Sequence, residues 1–247
     1  MKKYKPAIVL GSILIILWEI LSRLIDAMYI LPSPSAIVIK IWELRVPLFT
    51  VHLPSTLLVT MIGIFIAVIL GVFLATLMNT SEKLENALYP LVIATQTIPI
   101  TALAPLFVLW FGYGIWSKVV VTVLITFFPI TISFYDGLRS TKREMEELLL
   151  TYGASKTQIF IKLKIPSALP SFFTALKMSI PLSLIGAAIG EWLGAQSGLG
   201  YFSKRMMTQL DGAGVFAPIV ILSFLAIVLV FIVNIIESKI ITWRNEL

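Results

Sequence analysis

The chain has no cysteine, a single histidine and little charge: only 13% of its 247 residues are Asp, Glu, Lys or Arg. Without cysteine there are no disulfides, thiolate nucleophiles or Cys-ligated metals, and His52 with scattered carboxylates gives no H-E-x-x-H or comparable metal spacing. A Ser–His–Asp set cannot be argued around that histidine, which falls at the outer edge of an apolar segment and reads as an interfacial residue. There is also no G-x-x-x-x-G-K-[ST] run, so no phosphate-cradling loop for ATP lies in this chain. Gly/Ser linkers and low-complexity tracts are missing, and so is an internal repeat, which argues against an inverted-repeat secondary transporter.

What is present is apolar. The chain is 58% hydrophobic with mean hydropathy +0.98, where a soluble domain has roughly 45–50% apolar and about 25% charged residues. In water, that much apolar surface would aggregate, so the solvent is a bilayer. The reading is an all-α, polytopic membrane protein, a single transmembrane domain over 1–247. About 20 apolar residues cross the hydrocarbon as a helix, which predicts six spans near 7–21, 55–78, 87–111, 116–135, 172–192 and 216–236. A barrel would alternate apolar and polar residues, whereas Ile219 to Val230 is a nearly unbroken apolar run. The first span begins after Lys2, Lys3 and Lys5 and shows no small-residue cleavage pattern, so it reads as retained.

Six spans put both termini on one side, and charge chooses the side. With the N-terminus inside, the inner segments carry Lys2, Lys3, Lys5, Lys83, Arg139, Lys142, Arg143, Lys156, Lys162, Lys164, Lys239 and Arg244. The outer ones carry Arg23, Lys40, Arg45, Lys118, Lys204 and Arg205, and Lys177 lies early in span five. The positive-inside rule then gives a cytoplasmic (inner) membrane protein with both ends in the cytoplasm. It also accounts for the net charge of +6 without nucleic acid as a partner.

Two connections stand out. Leu31-Pro32-Ser33-Pro34-Ser35 predicts a turn and an N-cap for a short helix around Ala36 to Leu44 on the outer side. The largest inner loop, 136–171, predicts two short helices. Thr141 and Glu144 form a capping box, Met145, Leu148, Leu149 and Tyr152 share a face, and Gly153 sits at a C-cap position. Ser155 caps the second helix, which presents Ile159, Phe160 and Leu163 before Pro166 ends it. Few ionisable residues fall within spans: Glu19, which can pair with Arg23, Asp136, Lys177 and Glu191. Glu191, between Gly190 and Gly194, is the candidate for an outer gate or translocation path. Gln96 and Thr97, beside the helix breaker Pro99 in span three, are candidate path residues. Trp110, Trp116, Trp192, Tyr113 and Tyr201 read as an interfacial aromatic belt.

The inner loop resembles that of the permease subunits of binding-protein-dependent ABC importers, whose motif is Glu-Ala-Ala, three residues, Gly, nine residues, Ile, one residue, Leu-Pro. Here it reads Glu147-Leu148-Leu149, three residues, Gly153, nine residues, Leu163, Lys164, Ile165-Pro166, so the spacing matches at every anchor while both Ala positions are Leu and Ile and Leu trade places. Leu31-Pro32-Ser33-Pro34 and the stretch from Gly190 to Tyr201 resemble the subgroup that imports sulfonates, taurine, nitrate or thiamine-precursor pyrimidines. The resemblance implies that Glu147, Leu148, Leu149, Gly153, Leu163, Ile165 and Pro166 form a coupling element resting in a groove of a cytoplasmic ATPase subunit. It further implies an extracytoplasmic solute-binding protein, a second permease copy in a homodimer, and ATP and Mg held by the ATPase, with no cofactor or enzymatic chemistry in this chain. A thiamine-precursor pyrimidine ranks ahead of an alkanesulfonate or nitrate as solute. The alternatives are an ion-coupled secondary transporter, which needs buried carboxylates for its ion, and a membrane-embedded enzyme, which needs paired acids or clustered histidines.

Overall fold

The computed structural model describes residues 5–25 and 29–243, which form ten helices and, among the described residues, no strand. Lys2, Lys3 and Arg244, counted above as inner charges, lie outside the described residues. The helices are α1 (Lys5–Ile25), α2 (Pro34–Glu43), α3 (Arg45–Met78), α4 (Glu82–Ala94), α5 (Ile100–Phe111), α6 (Ile115–Arg139), α7 (Arg143–Thr151), α8 (Lys156–Gly194), α9 (Leu199–Thr208) and α10 (Gly212–Ile240). Five of them, α1, α3, α6, α8 and α10, are long and apolar enough to cross a membrane.

The short helix expected after the first span is present. Ser33 caps α2 by accepting from the Ala36 N–H (3.2 Å), with Pro34 in the first turn, where its missing N–H costs nothing. Glu19 pairs with Arg23 (2.7 Å) as expected and also accepts from the Ser35 N–H and hydroxyl (3.0 and 2.8 Å), fastening α1 to the start of α2. Lys40 and Asp211 (2.9 Å) tie α2 to α10, and their hydrogen bond holds the Lys40 ammonium above its usual range. Lys177 on α8 bonds Glu237 on α10 (2.7 Å), so this charge within a span is neutralised by a partner.

At the centre stands α6, half of whose most apolar stretch is buried, against only 6% for α1. It packs along α8 on one side and α3 on another. The contact is close because glycines remove the obstacles. Gly186 and Gly190 on α8 lie over the backbone of Thr122 and Lys118, and Gly63 and Gly71 on α3 lie over the side chains of Thr122 and Ile130. The hydroxyls of Thr122, Thr126 and Thr131 donate to carbonyls one turn back (2.9, 2.7 and 2.8 Å), so a buried polar face needs no outside partner.

In three places the structure departs from the sequence expectation. The span expected over 87–111 is two helices, α4 and α5, separated at Thr95–Pro99. Pro99 supplies no N–H and disfavours helical geometry at Ile98, while Thr95 and Thr97 turn their hydroxyls onto Val92 O and Ala94 O (2.6 and 2.8 Å), ending the helix from within. Pro166 does not end the second inner helix, because a π turn at Phe160–Lys164 widens the backbone just before it and α8 runs on through Pro166 to Gly194. Thr141 forms no capping box with Glu144; the N-cap of α7 is Lys142, and the Thr141 hydroxyl is buried without a partner.

The α6–α8 contact generates a stability prediction. A Cβ on Gly186 would meet Thr122 Cα at 2.9 Å, backbone that cannot swing aside, whereas one on Gly11 in α1 meets nothing within 4 Å. Gly186→Ala is therefore expected to destabilise the chain by about 1–3 kcal/mol, and Gly11→Ala to leave it unchanged. Thermal unfolding of both variants in detergent checks this; equal midpoints would mean that the helices separate freely.

Candidate functional site

Two places collect the candidate residues, at opposite ends of α8. At one end α7 projects from the molecule on the turn that joins α6 to α8. Its end is a Schellman turn: the Ala154 N–H donates to Leu149 O (3.0 Å) and the Gly153 N–H to Leu150 O (2.9 Å), with Gly153 at φ +81° as its position requires. Ser155 then caps α8 in a full capping box with Gln158, as the sequence indicates for Ser155. No residue of α7 is buried: Met145, Leu148 and Tyr152 are exposed apolar side chains, and Leu149 is half-buried. Glu147 is exposed and paired with Arg143 (2.9 Å) on the same helix. Leu163, Ile165 and Pro166 are half-buried in the first turns of α8, so they belong to its stem and not to a separate helix. Glu146 reaches Lys164 in the π turn (3.0 Å), bracing α7 against that stem.

At the distal end Glu191 is 1% exposed, the centre of a knot joining α3, α8 and the start of α9. The first amides of a helix have no partner within it. Here three successive ones are taken by side chains from elsewhere: Gly198 N–H donates to His52 Nδ1 (3.1 Å), Leu199 N–H to Thr56 Oγ1 (2.8 Å) and Gly200 N–H to Glu191 Oε2 (2.8 Å). The Thr56 hydroxyl donates in turn to Glu191 Oε1 (2.8 Å), so both oxygens of the acid accept. An acidic group at the start of α9 also suits the helix dipole. Ser55 and Ser197 add a further link (2.9 Å).

The glycines of this knot are dictated by contact. Gly198 has φ +117° and lies beneath the Glu191 carboxyl, where a Cβ would come within 2.2 Å of Cδ. A Cβ on Gly200 would press on Ala188 O at 2.5 Å. Lys118 of α6, itself buried, lies under Gly190 and attracts the Glu191 carboxyl without reaching ion-pair distance.

The structure keeps the three path candidates apart. Glu191 is sealed in the knot, whereas Gln96 and Thr97 are exposed at the α4–α5 break, where the Thr97 hydroxyl bonds Ala94 O, and neither side chain bonds a residue of the knot. His52 is buried within the protein, 7% exposed, with Tyr201 stacked at 6.0 Å and Phe202 at 4.8 Å. Sequence reasoning missed His52, Thr56 and the three amides. The only signals were the i, i+4 spacing of His52 and Thr56 on one helix face and the Gly-Leu-Gly at 198–200 opening an amphipathic helix.

The sequence profile of the family described as binding-protein-dependent transport system inner membrane component matches residues 67–242. The formylaminopyrimidine transport permease protein ThiX of Halalkalibacterium halodurans is 55% identical over 233 residues, covering 94% of this chain and 93% of that protein. The riboflavin transport system permease protein RibX of Chloroflexus aurantiacus is 32% identical, covering 87% and 81%. Among solved structures, an amino acid ABC transporter crystallised with histidines superposes with TM-score 0.64 at 14% identity, over 83% of this chain and 97% of that one, which shows a common fold.

Removing the knot's acid should free an amide. Glu191→Ala leaves the Gly200 N–H buried without its acceptor, while the Thr56 hydroxyl keeps only its longer bond to His52 O (3.2 Å), a cost of about 1–3 kcal/mol, so amide hydrogen exchange at Gly200 should quicken by about tenfold or more. Glu191→Gln, which keeps one accepting oxygen, should fall between. Unchanged exchange in the alanine variant would show that α9 is held by its apolar contacts alone.

Proposed function

The chain belongs to the family of binding-protein-dependent transport system inner membrane components and is a permease subunit of an ABC importer; from that premise we propose that it carries a formylaminopyrimidine-type thiamine precursor across the cytoplasmic membrane. The observation that carries the choice of solute is the 55% identity to a formylaminopyrimidine permease along almost the whole of both chains.

In this reading α1, α3, the broken pair α4–α5, α6, α8 and α10 are the six spans, with both termini in the cytoplasm. Two copies assemble around a central path. A solute-binding protein delivers the pyrimidine at the distal face, and two ATPase subunits engage α7. The chain itself forms no covalent intermediate and holds no nucleotide. The exposed face of Met145, Leu148 and Tyr152 has the form of a helix that lies in a partner's groove. Gln96 and Thr97, polar and exposed where a span is interrupted, line the path.

The length of α8 supports a mechanical link between the two ends. It runs 39 residues without a break, about 58 Å at 1.5 Å per residue, from the turn after α7 to the residues beside the Glu191 knot. A displacement of α7 by its ATPase enters α8 through the Schellman turn and the Glu146–Lys164 pair, and α8 passes it to α6 along the glycine contacts. Movement of α8 as a rigid body would then re-aim the knot and α9 with it, a two-state motion of packed elements.

Solute-stimulated ATP hydrolysis by the reconstituted importer tests the reading. Gly153→Pro cannot adopt φ +81° and is expected to abolish stimulation. Glu147→Ala, which releases Arg143 on the docking surface, is expected to reduce it several-fold, and Gln96→Leu to lower uptake with hydrolysis retained. If hydrolysis and uptake persist unchanged in both α7 variants, α7 is only a connector.

A further inference from the structure

We propose that a cleft at the distal end of the chain, bounded by the end of α8, the α5–α6 loop and α9, is a receiving subsite for a planar heteroaromatic solute; this rests on the pyrimidine reading above and deepens it. The cleft has a volume of about 260 Å³, and Tyr113, Trp192, Tyr201, Lys204 and Arg205 are among its lining residues. Drug-sized ligands take pockets of about 300–1,000 Å³, so this volume suits a smaller molecule such as a single substituted ring.

Its walls are fixed by the local backbone and by the knot beside it. Tyr113 stands alone between Gly112, at φ +69°, and Gly114, in a two-glycine turn that carries the ring out to 70% exposure. Trp192 follows Glu191 and is 45% exposed, while Tyr201 is stacked on the buried His52. The knot therefore sets the positions of Trp192 and Tyr201. Lys204 donates to Trp192 O (2.6 Å), which holds one ammonium at the rim. Arg205 pairs with no carboxylate among the described residues, and no acidic side chain lines the cleft.

Aromatic faces beside two uncompensated cations define the ligand chemistry. Flat rings stack on Trp and Tyr, and Lys and Arg donate to ring nitrogens or a carbonyl oxygen. A solute carrying an ammonium group is repelled. A formylaminopyrimidine has a flat ring, acceptor nitrogens and a formyl oxygen, and riboflavin, the solute in the name of another relative, is likewise a planar heteroaromatic. An interfacial belt alone would give exposed aromatics such as Trp110 the same importance as those of the cleft.

The test is equilibrium binding of radiolabelled formylaminopyrimidine to the full chain assembled with its ATPase in phosphatidylcholine nanodiscs, beside uptake by the same complex and its binding protein in proteoliposomes. Saturable binding is expected, weakened about tenfold by Trp192→Leu and by Tyr113→Leu, restored to within about threefold by Trp192→Phe, and unaffected by Trp110→Leu. Absent binding by the native complex, equal binding by all variants, or equal losses in Trp110→Leu and Trp192→Leu overturns the subsite. Loss of binding when phosphatidylglycerol replaces part of the phosphatidylcholine also overturns it and makes the cleft a headgroup site. Failure of the native complex to take up the pyrimidine overturns the solute assignment, whereas native uptake with unaltered KM in the cleft variants overturns the cleft alone.

Discussion

Two apolar helices in a bilayer gain nothing from hiding from lipid, since lipid is as apolar as they are, so the approach of α8 and α3 to α6 is the constraint on which the structure depends. Dispersion falls steeply with separation, and only backbones that nearly touch gain enough of it to hold. The glycines at 63, 71, 186 and 190 make such contact possible along the length of α6, and Gly137 does the same near its end, against Ala168. Ser179 reaches across the same seam to Thr126 O (3.3 Å), a polar bond that hydrocarbon cannot replace. The helices outside this seam, α1 and α10, expose most of their surface and are held at their ends by Glu19–Ser35, Lys40–Asp211 and Lys177–Glu237.

This division separates a rigid centre from tethered flanks. The centre, α3, α6 and α8, carries a candidate site at each end: α7 at one, the Glu191 knot at the other. The knot sits on an apolar cluster of Leu48, Leu199, Phe202 and Met206, whereas α7 has no buried residue. The α7 end is a hydrogen-bonded turn with an exposed helix, the knot a set of side chains that stand in for a missing helical turn. Both are therefore specified by hydrogen-bond geometry as well as by packing.

The sequence was legible where the deciding interactions are local. Ser33 caps α2, Ser155 caps α8, Gly153 takes positive φ and Glu19 meets Arg23, each within a few residues of its partner. The all-helical character followed from hydropathy, which needs no knowledge of contacts. Reading failed where two local rules compete or where partners are distant. Pro166 looked like a stop because the rule for proline assumes an α turn before it, and the structure supplies a π turn instead. Gln96, Thr97 and Pro99 were recognised as a disturbance in a span, but not as a gap between two helices. The knot was out of reach, because His52 and Thr56 meet Gly198 and Leu199 across more than 140 residues and neither half is distinctive alone.

The π turn at Phe160–Lys164 has a wider meaning for α8. Each residue advances a helix by about 100°, and a single π turn behaves as one residue inserted into an α-helix, so it rotates everything downstream by about that angle. Upstream of it, Ile159 is buried; downstream, Gly186 and Gly190 must face α6. The wide turn is thus a phase correction, written once near the start of the helix and inherited by all the residues that follow. Homologous chains that keep the same α6 seam should hardly vary in the number of residues within this turn.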